Sequence, residues 1–323
     1  MVDPVLSATA VAVGGYLLKE QFNRLCGPTA DYLGEKARDL VQCRIENMNK
    51  IITKTDAILG DKINEEGIIH PRIIEKFLNS GSYIEDNIAQ EYFAGVMATS
   101  RTNDGKDDSG YYFLDLITKL SHVDLKMHFI LYSLLRERHL GTNFSIFRIE
   151  DRYRLFIQLS FEDFFSKFQE QYPDTFDRAR ILTEAAPRLQ KEDLVHEIVF
   201  GSKYFVEQKK KAFNRQLKKI KELENESKIT GFSLYGGIST RNMVRERRTD
   251  SSDDIIPIRM KGAIYAIGSD DNLTDDMHLI CIPSPLGAQL FLWAHGEGHQ
   301  LANEIFNPEL RLTKDSTLNP RFE

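Results

Sequence analysis

Two histidines and a glutamate stand close together near the C-terminus, in the run His295-Gly296-Glu297-Gly298-His299. A zinc-hydrolase helix needs H-E-x-x-H, which puts both imidazoles on one face and the general base directly after the first. Here the glutamate comes one position late. Two glycines lie between the histidines, each costing about 1 kcal/mol in a helix. A helix ending at Gly296 separates the two imidazoles, and a tetrahedral site needs a third ligand as well. His295 and His299 are therefore weak metal candidates.

A second group, His122, His128 and Tyr132, falls on one helical stretch. His128 and Tyr132 are four residues apart, close enough to hydrogen-bond or pack together. A histidine on a mostly apolar helix is more often a satisfied core group than an acid or base. Asp104, Asp107 and Asp108 lack the D-x-[DN]-x-[DN]-G order of a calcium loop and read as a solvated acidic loop. No G-x-x-x-x-G-K-[ST] loop and no G-x-S-x-G elbow occurs, and the paired glycines are isolated. Cys26, Cys43 and Cys281 are odd in number and widely spaced, which speaks against a disulfide framework or a thiolate zinc site. No catalytic residue and no cofactor is expected.

Basic residues make the case for a polyanionic partner. Lys203, Lys209, Lys210, Lys211, Arg215, Lys218, Lys219 and Lys221 crowd one helix, and Arg241, Arg245, Arg247 and Arg248 a later loop. Such clusters can neutralise phosphates. Against this, the chain carries a formal net charge of -6, and Glu222, Glu224 and Glu226 follow the lysines, so a solvated helix face is the plainer reading. The strand-like run before Pro285, followed by a helix, faintly suggests a winged-helix module without an identifiable recognition helix.

The elements that must position these groups read as mainly α, α+β in sum, with a helical N-terminal domain and a smaller mixed α/β C-terminal domain. With 323 residues, 41% of them hydrophobic, the chain is long enough for two domains and apolar enough for a real core. Residues 1–26 form an apolar segment. Its charge-free stretch, Val5 to Leu18, is shorter than a bilayer span and lacks a basic flank. Residues 27–142 are helical. Within them Thr29 to Leu59 reads as one long helix, with Val41, Ile45, Met48, Ile52 and Leu59 alternating at four and three as in coiled coils and Thr55 filling the gap. Gly60 is its cap. Pro71 opens a helix with an apolar face of Ile73, Ile74, Phe77 and Leu78, Ser82 with Glu85 and Ser121 with Asp124 give capping boxes, and Gly141 ends the last helix.

Residues 143–227 read as a hairpin around Glu150-Asp151-Arg152, its second run equally able to open a helix, and then as helical from about Asp174 to Glu226. That stretch has its own narrow seam of Val206, Phe213, Leu217 and Ile220. Residues 228–306 look mixed, with strand-like ITGFSLYGG, IIPIRMKGAIYAI and HLICIP before the apolar helix at Pro285, and 307–323 is a polar tail.

Two stretches resemble the abortive-infection alpha family of bacterial phage-defence proteins. They are GPTADYLGE, Gly27 to Glu35, and KLSHVDLKMHFILY, Lys119 to Tyr132. EYFAGVMATSRTNDG, Glu91 to Gly105, is similar to the family's link between them, and PSPLGAQLFLWAHG, Pro283 to Gly296, less specifically to a late segment. The resemblance covers about Gly27 to Arg138 and implies a helical domain and a role in abortive infection, with no catalytic residues. It singles out Gly27, Pro28, Thr29, Tyr32, Gly34, His128 and Tyr132 as structural. Read physically, Gly27-Pro28 breaks the chain, Thr29 caps, and Asp31 suits the helix dipole. The expected activity is protein contact or self-association in the cytoplasm. Nucleic-acid binding through the basic helix and membrane contact through residues 4–18, on activation, are the alternatives.

Overall fold

A computed structural model describes residues 29–171, 178–230, 277–310 and 312. The apolar segment with its membrane contact at 4–18, the Gly27-Pro28 break, the loop bearing Arg245, Arg247 and Arg248, and the strand-like runs between 231 and 276 lie outside these residues. The described chain is mainly helical, with one two-stranded and one three-stranded sheet.

Helix α1, Thr29–Leu59, has the expected bounds and carries Tyr32 and Gly34 in its first turns. Gly60, at φ +53°, takes the left-handed conformation that glycine adopts without strain and turns the chain into a short 3-10 segment. The face that α1 buries meets the predicted seam only at its edge, through Thr55 and the partly buried Met48. Asn47, Ile51 and Thr55 are buried, while Val41, Ile45 and Ile52 are 57%, 43% and 46% exposed. Two polar residues hold the buried face because each has a partner. Asn47 Nδ2 donates to Ser82 O at 3.2 Å, and Thr55 Oγ1 donates to Ile51 O at 2.9 Å.

A two-residue strand β1, Ile68–Ile69, pairs with β2, Arg101–Thr102. Between them lie α2, Pro71–Ser80, and α3, Asn87–Thr99. Pro71 opens α2, where its missing N–H costs nothing, and Ile73 and Phe77 are buried while Leu78 faces solvent. The capping box expected at Ser82 is not formed. Asp86 caps α3 instead, its Oδ1 accepting from Ile88 N and Ala89 N. Helix α4, Ser109–Thr118, leads to α5, His122–His139, where the Ser121/Asp124 box is present as read and the chain leaves through Gly141 at φ +75°.

The hairpin expected after residue 143 does not form. Its first run becomes a loop and a single helical turn, Ile149–Arg152, and its second becomes β3, Ile157–Ser160, followed by α6, Phe161–Gln171. After a helical run that ends in α7, Ala186–Lys191, an eight-residue strand β4, Val195–Ser202, interrupts the stretch read as helical. Helix α8, Lys203–Thr230, then runs past the first residues of the strand-like ITGFSLYGG. Strand β5, Met277–Pro283, lies between β3 and β4, antiparallel to both. Period-two alternation divides it: Leu279 and Cys281 face the main core, and Ile280 and Ile282 meet Val206 and Phe213 of α8.

Among the described residues the N-terminal helices and the C-terminal strand and helix share one core. One buried cluster runs from Ile51 to Leu312. Helix α9, Pro285–Ala294, packs on α3 and α5, so a C-terminal element closes the N-terminal helical core. Residues 287, 288 and 290–294 are all buried, so α9 cannot serve as the recognition helix of a winged-helix module. The start of the polar tail is docked too: Arg136 donates to the carbonyls of Ile305, Asn307 and Leu310, and Leu312 is buried. Among the described residues, no helix is long and apolar enough to cross a membrane.

Candidate functional site

The titratable groups with catalytic residue types converge on the joint between α5 and α9. Tyr92 Oη donates to His128 Nδ1 at 2.6 Å, and His128 Nε2 lies 3.0 Å from Gly287 O. A carbonyl only accepts, so Nε2 carries the proton and Nδ1 is the acceptor. One turn later, Tyr132 Oη donates to Leu194 O at 2.7 Å and accepts from Ser284 N at 3.0 Å. The Ser284 hydroxyl donates to Asp193 O at 2.5 Å and accepts from Gly287 N at 3.0 Å, capping α9. His128 and Tyr132 pack ring against ring with centroids 4.7 Å apart, without a bond between them.

This network has no access to solvent. Burial pushes the His128 imidazole down to about 3 and raises the Tyr132 hydroxyl. Its bonds tie α5 to α3, to the residues leading into β4 and to the head of α9, so it acts as a latch between these elements. Glycine is required where it closes: a Cβ at Gly287 would sit 2.0 Å from Leu194 O and 2.2 Å from Tyr132 Oη. A Cβ at Gly95 would lie 2.1 Å from Ala294 O, so α3 and α9 cross with backbones nearly touching. Sequence reasoning found His128 and Tyr132 but missed Tyr92, Ser284 and Gly287. The order Ser-Pro-x-Gly was a usable signal, since serine before a proline at the first helical position marks a cap.

The histidines of the HGEGH run are not brought together. Helix α9 ends at Ala294, and Gly296 turns the chain at φ +78°. His295 is buried, donates Nδ1–H to Phe291 O at 2.8 Å, and is pushed down to about 4 by burial. His299 is exposed beside Trp293. Among the described residues no group of three His, Cys, Asp or Glu side chains is placed to hold a metal ion. The acidic loop is spent on turns and two ion pairs: Asp107 accepts from Ser109 N, Asp108 pairs with Arg72 at 2.9 Å and Asp104 with Lys106 at 3.6 Å. Cys43 is exposed and Cys281 buried, its thiol raised by burial.

An open groove of about 430 Å³ lies between residues 141–148 and 303–308, beside Phe144, Arg148, Asn303 and Phe306. Its polar groups already serve the wall. Asn303 Oδ1 accepts from Ile146 N at 2.8 Å, and Arg148 pairs with Asp151 at 3.0 Å.

Two exposed helical faces remain. On α1, Val41, Ile45 and Ile52 form an apolar stripe about 100° round the helix from the buried Ile51, with Leu40 exposed beyond the end of the body. On α8 the candidate lysines divide. Lys209 pairs with Glu197 at 3.3 Å and Lys210 with Glu207 at 2.9 Å, whereas Lys211, Arg215, Lys218 and Lys219 point into solvent. Compared with protein families, with curated proteins and with solved structures, the chain matches none.

Proposed function

We propose that this chain is a non-enzymatic phage-defence protein of the cytoplasm that acts by pairing with a second copy of itself through α1. The exposed stripe of α1 carries the reading. Together with Met48, which is partly buried against the core at its edge, its residues alternate at four and three, the period by which two helices keep one seam in register. Ile45 and Ile52 fall at the first heptad position, where β-branched side chains favour two parallel strands, and Val41 and Met48 fall at the fourth. A two-fold axis along the seam sets the two bodies on opposite sides, because the buried face lies about 100° away. The defence role rests on the family resemblance. In support of it, three of the resembling stretches meet at one place: Tyr92 from the link Glu91 to Gly105, His128 and Tyr132 from the stretch Lys119 to Tyr132, and Ser284 and Gly287 from the late segment Pro283 to Gly296.

Sedimentation velocity tests the pairing. Val41→Glu with Ile45→Glu changes two exposed positions, so the fold should persist by circular dichroism while the dimer is lost together with protection of cells from phage. In a Cys43→Ser background, Ile45→Cys should cross-link to its own copy, as a parallel register requires. A wild-type protein that sediments as a monomer at all concentrations would overturn the pairing. A monomeric variant that protects cells fully would separate pairing from defence.

A further inference from the structure

Helix α8 carries the longest one-signed run in the chain's described part. From Gln208 to Lys221 there are seven basic residues and no acid, in a chain whose net charge is -6. The structure sorts them. The apolar side of the helix, Val206 and Phe213, is consumed against Ile280 and Ile282 of β5. Lys209 and Lys210 lie at the flanks and are held by Glu197 and Glu207. The opposite side presents Lys211, Arg215 and Lys218 at spacings of four and three, with Lys219 beside them. That is a single solvent stripe, about 10 Å from Lys211 to Lys218. Glu222 reaches only its last member, at 3.9 Å from Lys218.

Seven residues before Lys211, on the same stripe, stands Tyr204, at 74% the most exposed large hydrophobic side chain described. An aromatic ring left in water at the head of a basic line is costly as packing and useful as a platform. A basic track with an aromatic ring is how sequence-tolerant single-strand binders are built, the cations following phosphates and the ring taking a base. A lipid surface fits less well, because a helix lying in a membrane interface needs a free apolar face, and Val206 and Phe213 of α8 are already covered by the sheet.

We infer that the solvent face of α8, formed by Tyr204, Lys211, Arg215, Lys218 and Lys219, binds single-stranded nucleic acid by its phosphodiester backbone, with one base stacked on Tyr204. The face is independent of α1, so this binding stands or falls separately from self-pairing.

The probe is fluorescein-labelled oligo-dT of about 20 nucleotides, read by anisotropy against the full-length protein. With four cations engaged, the slope of log affinity on log salt should be about -2.8, a fall of about 50-fold between about 50 and 200 mM salt. Lys211→Gln with Lys218→Gln should halve that slope, leaving a fall of about sevenfold. Tyr204→Ala should weaken binding at least about fivefold without changing the slope. Lys209→Gln, at a lysine already paired, should leave the slope as it is. No anisotropy change at low salt would overturn the proposal. So would a slope unmoved by the Lys211/Lys218 pair, or tighter retention on phosphatidylserine vesicles than on oligo-dT. Tighter binding of duplex than of single strand, indifferent to Tyr204→Ala, would overturn the stacking and with it the single-strand assignment.

Discussion

Tyr132→Phe removes one oxygen from the middle of the latch and nothing else. Two buried backbone groups lose their partner: the Ser284 N–H, 3.0 Å from that oxygen, and the Leu194 carbonyl at 2.7 Å. Water cannot replace it, since even a methyl carbon on Gly287 would approach the hydroxyl to 2.2 Å. An unsatisfied buried polar group costs about 1–3 kcal/mol, the carbonyl less than the N–H, so the loss should be about 2–4 kcal/mol. That is a large share of the roughly 5–15 kcal/mol by which a protein is stable. Urea unfolding followed by Trp293 fluorescence is a direct assay. Trp293 is the chain's single tryptophan and sits in α9, its ring stacked on Phe113 with centroids 4.6 Å apart, so it reports the joint the latch holds. A loss under about 0.5 kcal/mol, the size of a neutral surface change, would refute the claim that this hydroxyl ties α9 to α5.

Acid should destabilise the fold through two histidines. His128 and His295 are neutral in the folded chain, pushed down to about 3 and about 4 by burial, and free to protonate near 6.5 once unfolded. Their contribution is therefore complete above about pH 6.5 and is lost as pH falls toward about 4 for His295 and about 3 for His128, the loss for the pair reaching about 4 kcal/mol at pH 5. Melting temperatures across that window check it, and His295→Gln should lower the pH slope by about one proton; an unchanged slope contradicts the assignment. Gly95→Ala places a carbon 2.1 Å from Ala294 O and should cost at least about 2 kcal/mol, measured by chemical denaturation. A neutral result would mean that α3 and α9 do not cross this closely.

Local chemistry was legible wherever a residue decides its own surroundings. Thr29 to Leu59, the Ser121/Asp124 box, Gly141 and the HLICIP strand all follow from caps, breakers and periodicity acting within a few residues. What depended on distant partners was not. The period of α1 marks an apolar seam but not which side the core takes: the core takes the side of Asn47, Ile51 and Thr55, the last a seam position, and the polar atoms of Asn47 and Thr55 find acceptors there. Strand β4 hid in a helical pattern, since VHEIVFGS becomes a strand only when β5 arrives to pair with it. Ile157–Ser160 was read as β-prone, but its partner is Leu279 and its neighbours, not the adjacent run. Of the latch, the α5 half was visible as an odd histidine and tyrosine in an apolar helix, whereas Tyr92 and Ser284 became meaningful only in three dimensions.

The placement of α9 also sets an order of events in the cell. A ribosome delivers α5 long before α9: Ala294 is added 155 residues after His139 (294 − 139), or about 8–30 s of synthesis later. During that interval Phe129, Tyr132 and Phe113 have no Phe291 or Trp293 to lie against. The helical half must therefore wait, apolar side open, for a chaperone or for its own C-terminal segment. A nascent chain stopped at Thr230 would be an aggregation-prone fragment and not a smaller working protein.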